Sequence, residues 1–141
     1  MEFQKFGQCY VVRIDRGEEV VGQLEKFVKE NKINLGFVEG IGAADEIKVG
    51  LFDPQVQEYY SQVLEGNFEI TSLKGNISTK DGEPYLHLHI TAADEEFNTH
   101  GGHLNRAVIS GTCELVVVEL DGSVGREFSS EVGLNLFKFG E

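Results

Sequence analysis

The chain has 141 residues, which fits one compact domain, and its 40% hydrophobic and 26% charged residues are typical of a globular protein that builds a core without disulfide bonds. Its formal net charge is −12, and no cluster of Lys and Arg residues interrupts the acidic surplus. Since nonspecific nucleic-acid binding depends on cationic side chains that release phosphate counterions, direct DNA binding by this chain alone is disfavoured.

The sequence also indicates where the protein works. No basic segment followed by an apolar segment opens the chain, and the longest apolar run, Leu115 to Val118, is far too short to span a bilayer. We therefore expect a soluble, cytoplasmic protein that does not associate with membranes. Cys9 and Cys113 form no CxxC pair and are expected to be reduced thiols, although their spacing alone leaves a disulfide open.

The first elements are a strand and a helix. Tyr10 to Ile14 is rich in β-branched residues and predicts a strand that ends at an Asp-Arg-Gly turn. Glu18 and Glu19 then open a helix over about residues 18–31, because negative charge suits a helix N-terminus and apolar residues recur at helical spacing behind them.

The rest of the chain is predicted to be mainly strands. Gln55 to Leu64 is ambiguous between an extended segment and a short helix, and Ala93 to Gly102 is predicted to be an acidic loop. One early helix and many later strands predict an α+β fold with one main helix on a largely antiparallel sheet. The predicted strands are Asn34 to Ile41, Glu46 to Phe52, Phe68 to Leu73, Asn76 to Thr79, Tyr85 to Ala92, Ala107 to Ile109, Thr112 to Leu120 and Glu131 to Phe139.

Three of the four histidines form a pattern that suits a metal ion. Side chains alternate between the faces of a strand, so His87 and His89 share one face. His103 follows a Gly-Gly pair, where the backbone can bend tightly. Neutral imidazoles hold Zn²⁺ and similar divalent transition metals, and three protein ligands leave one coordination position for water. The sequence therefore predicts a metal site formed by His87, His89 and His103.

Other readings of the same residues stay open. His87 and His89 are alternatively polar residues on the solvated face of a strand. His100 is the second choice as a ligand, although the Gly-Gly pair between it and His103 argues against a shared helical face.

Glu114 is the candidate catalytic residue. It is a carboxylate within an otherwise almost wholly apolar strand, where a charge costs free energy unless it is paired. One interpretation is that it accepts a hydrogen bond from a metal-bound imidazole or takes a proton from a metal-bound water. The alternative is an edge or interface carboxylate bonded to a basic residue such as Arg106.

Five segments, in the same order as in the family, resemble the PPC ("plants and prokaryotes conserved") domain. The resemblance covers nearly the whole chain and indicates a single PPC-like domain over residues 1–141. The segments are Tyr10-Val-Val-Arg-Ile14 with Gly17-Glu-Glu-Val20, Glu39-Gly-Ile-Gly-Ala43, Phe68-Glu-Ile-Thr-Ser-Leu73 with Gly75-Asn76, His87-Leu-His89 with Gly101-Gly-His-Leu104, and Cys113-Glu-Leu-Val-Val117.

The resemblance implies an α+β fold with a curved antiparallel sheet, and a homotrimer. It also implies that His87, His89 and His103 are the positions at which prokaryotic members hold a metal, with zinc the expected ion. The AT-hook core Arg-Gly-Arg-Pro of plant members is absent, so DNA binding does not carry over with the resemblance.

Three functions from different classes follow. The first is a metal-containing homotrimeric module for assembly or regulation, which binds a protein or small-molecule partner. The second is a zinc-dependent hydrolase of a small ester-like substrate, with Glu114 or Glu39 as proton acceptor. The third is DNA binding by family association, which the net charge disfavours.

Overall fold

The computed structural model describes residues 1–140 and is built mostly of β-strands. Strands hold 69% of the residues and the helix 8%, so the predicted α+β class with a main helix is wrong and the fold is β-rich. The elements are β1 (Glu2–Phe6), β2 (Cys9–Asp15), α1 (Val20–Glu30), β3 (Gly36–Asp53), β4 (Glu58–Lys80), β5 (Glu83–Ala93), β6 (Thr99–Glu119), β7 (Gly125–Ser129) and β8 (Leu134–Lys138).

The helix α1 is shorter than predicted because Glu19 caps it instead of belonging to it. The Glu19 carboxylate accepts hydrogen bonds from the backbone N–H groups of Val21 at 2.9 Å and Gly22 at 2.7 Å. The 11 residues of α1 bury an apolar stripe that includes Leu24 and Phe27. The helix packs on the core of the sheet. The strands, which hold most of the other residues, make the fold β-rich.

The strands are long because several predicted short strands are continuous in the structure. β3 has 18 residues and joins two predicted strands across register shifts between Gly40 and Gly42 and between Ala44 and Glu46. A β-bulge inserts an extra residue and breaks the alternation of apolar and polar residues. For that reason the sequence pattern resembled two strands. The ambiguous segment Gln55 to Leu64 is extended from Glu58 onwards, as the start of β4.

The main sheet has the order β1-β2-β6-β3-β4-β5, and β5 also pairs with β6, so the sheet closes on itself. Every pairing is antiparallel. The closing ladder corrects the predicted loop Ala93 to Gly102, since β6 begins at Thr99 and runs through the Gly-Gly pair. The turn that remains is closed by the Asp94 carboxylate, which accepts from the backbone N–H groups of Glu96 and Asn98.

One hydrophobic cluster fills the inside of this sheet, with side chains from α1 and from β2 to β6. Glu141, the last residue of the predicted domain 1–141, lies outside the described residues. Within residues 1–140, no helix has the length and hydrophobicity that a bilayer crossing needs. Cys9 and Cys113 are free thiols.

The C-terminal strands form a separate hairpin, β7–β8, on the outer face of the main sheet. The predicted last strand corresponds to β8, and β7 was not predicted. The hairpin is tied to β4, where the backbone N–H of Thr79 donates to the carbonyl of Val124 at 3.0 Å. The hairpin explains why Ile77 and Ser78, which point to opposite faces of β4, are both fully buried.

Candidate metal centre

The three predicted histidines converge on the outer face of the closed sheet. His87 and His89 lie on β5, and His103 lies on β6 directly opposite His89. One nitrogen from each imidazole lies within 4.8 Å of the other two. The Nε2 atoms of His87 and His89 are 3.2 Å apart. Two nitrogens on a tetrahedral Zn²⁺ at bonds of about 2.05 Å stand about 3.3 Å apart, so this spacing fits a shared ion.

Local packing fixes where these side chains point. Leu88 and Ile90 are buried on the inner face of β5, which leaves His87 and His89 on the outer face. β6 can approach β5 and β3 closely because Gly101 and Gly102 carry no side chain. A Cβ atom at Gly101 would meet the carbonyl oxygen of Ile90 at 2.6 Å, so a larger residue there would push the strands apart.

The environment favours neutral imidazoles. Burial is the largest cause that lowers the pKa of His87 to about 4, and the nearby His103, His89 and Arg126 contribute the rest. Burial is also the main cause that lowers the pKa of His103, with His89 adding to it. A neutral imidazole keeps a nitrogen lone pair free for a metal, so at neutral pH His87 and His103 are ready to act as ligands without losing a proton.

An aromatic ring forms one wall of the centre. The Tyr59 ring meets the His103 ring edge to face, with 6.3 Å between their centres, and its hydroxyl donates to Asn105 at 2.7 Å. The ring lies over Gly50, where a Cβ atom would come within 1.7 Å of the Tyr59 oxygen. Sequence reasoning missed Tyr59, because it stands in the segment left ambiguous between strand and helix.

The family model of the Plants and Prokaryotes Conserved (PCC) domain matches residues 1–121. The chain belongs to the PCC-domain family.

Two solved structures resemble this chain along almost its whole length. A protein from Bacteroides thetaiotaomicron, provisionally described as DNA-binding, is 35% identical with a TM-score of 0.96, over 98% of this chain and 96% of its own. A protein from Archaeoglobus fulgidus described as metal-containing is 33% identical with a TM-score of 0.88, over 99% of both chains.

A curated relative is much longer. The bifunctional protein GlmU of Synechococcus sp. (strain JA-3-3Ab) is 31% identical over 114 residues, which are 79% of this chain and 17% of the relative. The chain therefore spans about a sixth of the length of that relative.

The other predicted site residues of this PCC domain lie apart from the three histidines. His100 bonds to Asp94, with 2.8 Å between its Nε2 and a carboxylate oxygen, and holds the turn after β5. Glu114 is exposed on β6, opposite Arg13 of β2 and eleven residues beyond His103. Strands rise about 3.3 Å per residue, so the Glu114 carboxylate is far from the imidazoles.

The alternative partner for Glu114 is also not observed. Arg106 bonds to Glu46 instead, with 2.6 Å between its Nε and a carboxylate oxygen. Glu39 is exposed and stands 3.7 Å from the ammonium group of Lys74, which lies in register between Glu39 and His89. Within residues 1–140, neither carboxylate forms a hydrogen bond with His87, His89 or His103.

Arg126 is a second residue that sequence reasoning missed. It comes from β7, outside any strand that the pattern predicted, and no motif marked it. Its position in the folded chain indicates a role at the centre, since its positive charge helps to lower the pKa of His87.

Proposed function

We propose that this PCC-domain protein binds a divalent transition metal, zinc, through His87, His89 and His103, and acts as a homotrimeric module for assembly or regulation. The observation that carries the metal is the convergence of three imidazole nitrogens within 4.8 Å of one another. The likeness to a metal-containing protein from Archaeoglobus fulgidus supports it. Imidazole suits zinc, copper, nickel and iron, and availability favours zinc among them.

Self-association is supported by an apolar patch on the outer face of the sheet. The patch consists of Val11, Phe37, Ile41 and Val116, whose exposed fractions run from 42% to 59%. They come from three adjacent strands, and Val11 lies directly opposite Val116. Exposed apolar side chains on neighbouring strands are typical of subunit contacts, and here they surround Glu39, which lies directly opposite Val116.

The patch and the histidines share the same outer face of the sheet. Phe37 of the patch lies opposite Asn76 on β4, and Asn76 lies opposite His87 on β5. A subunit that covers the patch would therefore lie close to the metal centre, and we propose that metal binding and assembly influence each other for this reason.

A zinc hydrolase is the second candidate. Three histidine ligands leave a coordination position for water, and bound zinc lowers the pKa of that water to about 7. The positions of Glu114 and Glu39 weaken this candidate, since the proton would need another acceptor. DNA binding ranks last because the net charge is −12.

The proposal is tested by metal analysis of purified protein that has not been exposed to a chelator. We expect about one zinc ion per chain, and we expect His87→Ala and His103→Ala to lose it. The matched control is His100→Ala, which removes an imidazole engaged with Asp94 and should retain the ion. Absence of metal from the unaltered protein, or equal occupancy in all variants, would refute the site.

The same preparations separate the functions. Hydrolysis of simple esters that disappears in both His87→Ala and His103→Ala would favour the hydrolase as the function. A complex with duplex DNA that weakens steeply with added salt would favour DNA binding as the function. A mass of three chains with neither activity supports the assembly module.

A further inference from the structure

Arg126 carries a fixed positive charge to the outer face of the sheet from the hairpin β7–β8. The hairpin lies beyond residues 1–121, which the family model matches. Nε of Arg126 donates to the hydroxyl of the fully buried Ser78 at 2.8 Å, and Nη2 donates to the side-chain oxygen of Asn76 at 2.8 Å. Nη1 donates to the carbonyl of Asn135 at 2.9 Å.

The guanidinium group of Arg126 lies over two aromatic rings. Its central carbon lies 4.5 Å from the ring centre of Tyr85 and 4.4 Å from that of Phe137. Two cation–π contacts and three hydrogen bonds leave the group little rotational freedom, so its remaining N–H groups point in fixed directions.

This charge stands beside the metal centre. Tyr85 shares a face of β5 with His87, two residues away. Asn76, whose side-chain oxygen accepts the hydrogen bond from Nη2 of Arg126, lies opposite His87 in the register of β4 and β5. The two contacts place the guanidinium next to the imidazole of His87.

The bonding of Arg126 is unlike that of two other arginines in this acidic chain. Arg13 pairs with Asp15 at 2.7 Å, and Arg106 pairs with Glu46 at 2.6 Å. Within residues 1–140, the hydrogen bonds of half-buried Arg126 go to neutral oxygens. A guanidinium has five N–H donors, so about two remain for another acceptor. A half-buried cation without a carboxylate partner is suited to bind an anion.

We propose that Arg126 and the three-histidine centre together bind the oxyanion group, carboxylate or phosphate, of a small ligand. The inference rests on the metal proposed above. The oxyanion would take the coordination position that three histidines leave free, and its other oxygen would accept hydrogen bonds from Arg126. The neutral bonds to Ser78 and Asn135 position the cation for this purpose.

Anion titration of the zinc-loaded protein tests the inference, with acetate and inorganic phosphate as separate probes in low-salt, chloride-free buffer. Isothermal titration calorimetry compares the unaltered protein with Arg126→Met. We expect the dissociation constant of at least one probe to rise about tenfold or more, because charge-assisted hydrogen bonds are lost. The matched control is Lys138→Met, which removes an exposed cation of the same hairpin that pairs with Glu127. It should change the constant less than about twofold.

A second variant keeps the test decisive if Arg126→Met does not fold. Asn76→Asp keeps the size of the side chain and the contact with Nη2, but places a carboxylate on Arg126. It should weaken anion binding about as much as Arg126→Met, since the cation is then neutralised.

The outcomes separate this inference from the metal proposal. If the unaltered protein takes up no zinc, the metal proposal fails. If zinc is retained in every variant and the anion affinities match that of the unaltered protein, Arg126 does not bind the anion and the present inference is overturned. Equal anion affinity in zinc-loaded and zinc-free protein would overturn the joint site as well. A preference for phosphate over acetate would indicate a phosphorylated ligand, and the reverse a carboxylic acid.

Discussion

His89 on β5 lies directly opposite His103 on β6, at the last register pair of the ladder that closes the sheet on itself. The ladder is short, running from His89–His103 to Ala93–Thr99. A metal ion held by both side chains would therefore join the two strands where their backbone pairing ends.

Zinc should stabilise the fold through this junction. A ligand that binds only the folded state adds about 2.7 kcal/mol to the free energy of unfolding at a hundredfold excess over its dissociation constant. Chemical denaturation of metal-free protein, with and without zinc, measures the gain. His89→Ala should abolish most of it, whereas His100→Ala should preserve it. If His89→Ala gained as much stability from zinc as the unaltered protein, His89 would not be a ligand.

The three candidate ligands were predictable from the sequence, whereas the residues that flank them were not. Two residues of separation place His87 and His89 on one face of a strand, and that alternation is visible in the sequence. The pairing of β5 with β6 is also local, but the acidic residues and the Gly-Gly pair indicated a loop instead of a strand. Arg126 and Tyr59 come from distant segments, so only the folded chain shows that they flank the imidazoles.

The fold class was mispredicted because one regular helix is easier to recognise than long, irregular strands. β3 and β6 shift register with one another between Gly42 and Ala44, between Ala44 and Glu46, and between Lys48 and Val49. Each shift breaks the alternating pattern, so the sequence suggested several short strands and gave the helix too much weight.

Gly75 should tolerate no side chain. A Cβ atom there would lie 2.0 Å from the carbonyl oxygen of His87 and 2.8 Å from the Cα atom of Leu88. Both are backbone atoms of β5, so they can move only if the strand moves. We expect Gly75→Ala to lower the free energy of unfolding by about 3 kcal/mol and to weaken zinc binding, because His87 would be displaced.

Gly111→Ala is the matched control for that substitution. Gly111 lies in β6, and its added Cβ would meet only the Cβ atom of Ala43, at an ordinary 3.6 Å. The control should change stability by less than about 1 kcal/mol. Equal denaturation midpoints for the two variants would show that β5 can move away from a side chain at Gly75 without loss of stability.

A charge in the apolar patch should dissociate the proposed trimer. Val116 is 42% exposed, and Asp at this position would be buried without a partner in a subunit contact. Light scattering after size-exclusion chromatography should show Val116→Asp falling from three chains to one chain of 15.6 kDa.

Val56→Asp controls for the added charge, since Val56 is 58% exposed and lies between β3 and β4, outside the patch. It should leave the mass at three chains. A Val116→Asp variant that remains trimeric would exclude this face as the contact.

The buried thiol of Cys113 should make the fold sensitive to alkali. Burial, aided by the charge of Glu114, raises the pKa of Cys113 to about 12, from an ordinary value of 9.0. Between these values the unfolded chain loses the proton and the folded chain keeps it. The buried thiol therefore contributes fully to the free energy of unfolding well below pH 9.0. This contribution declines as pH rises towards 12, and about 1.4 kcal/mol of it is lost at one pH unit above 9.0. Denaturation at pH 8 and pH 10 measures the decline, and Cys113→Ala should lack this part of it while Cys9→Ala retains it. An equal decline in both variants would mean that another group causes the alkaline loss.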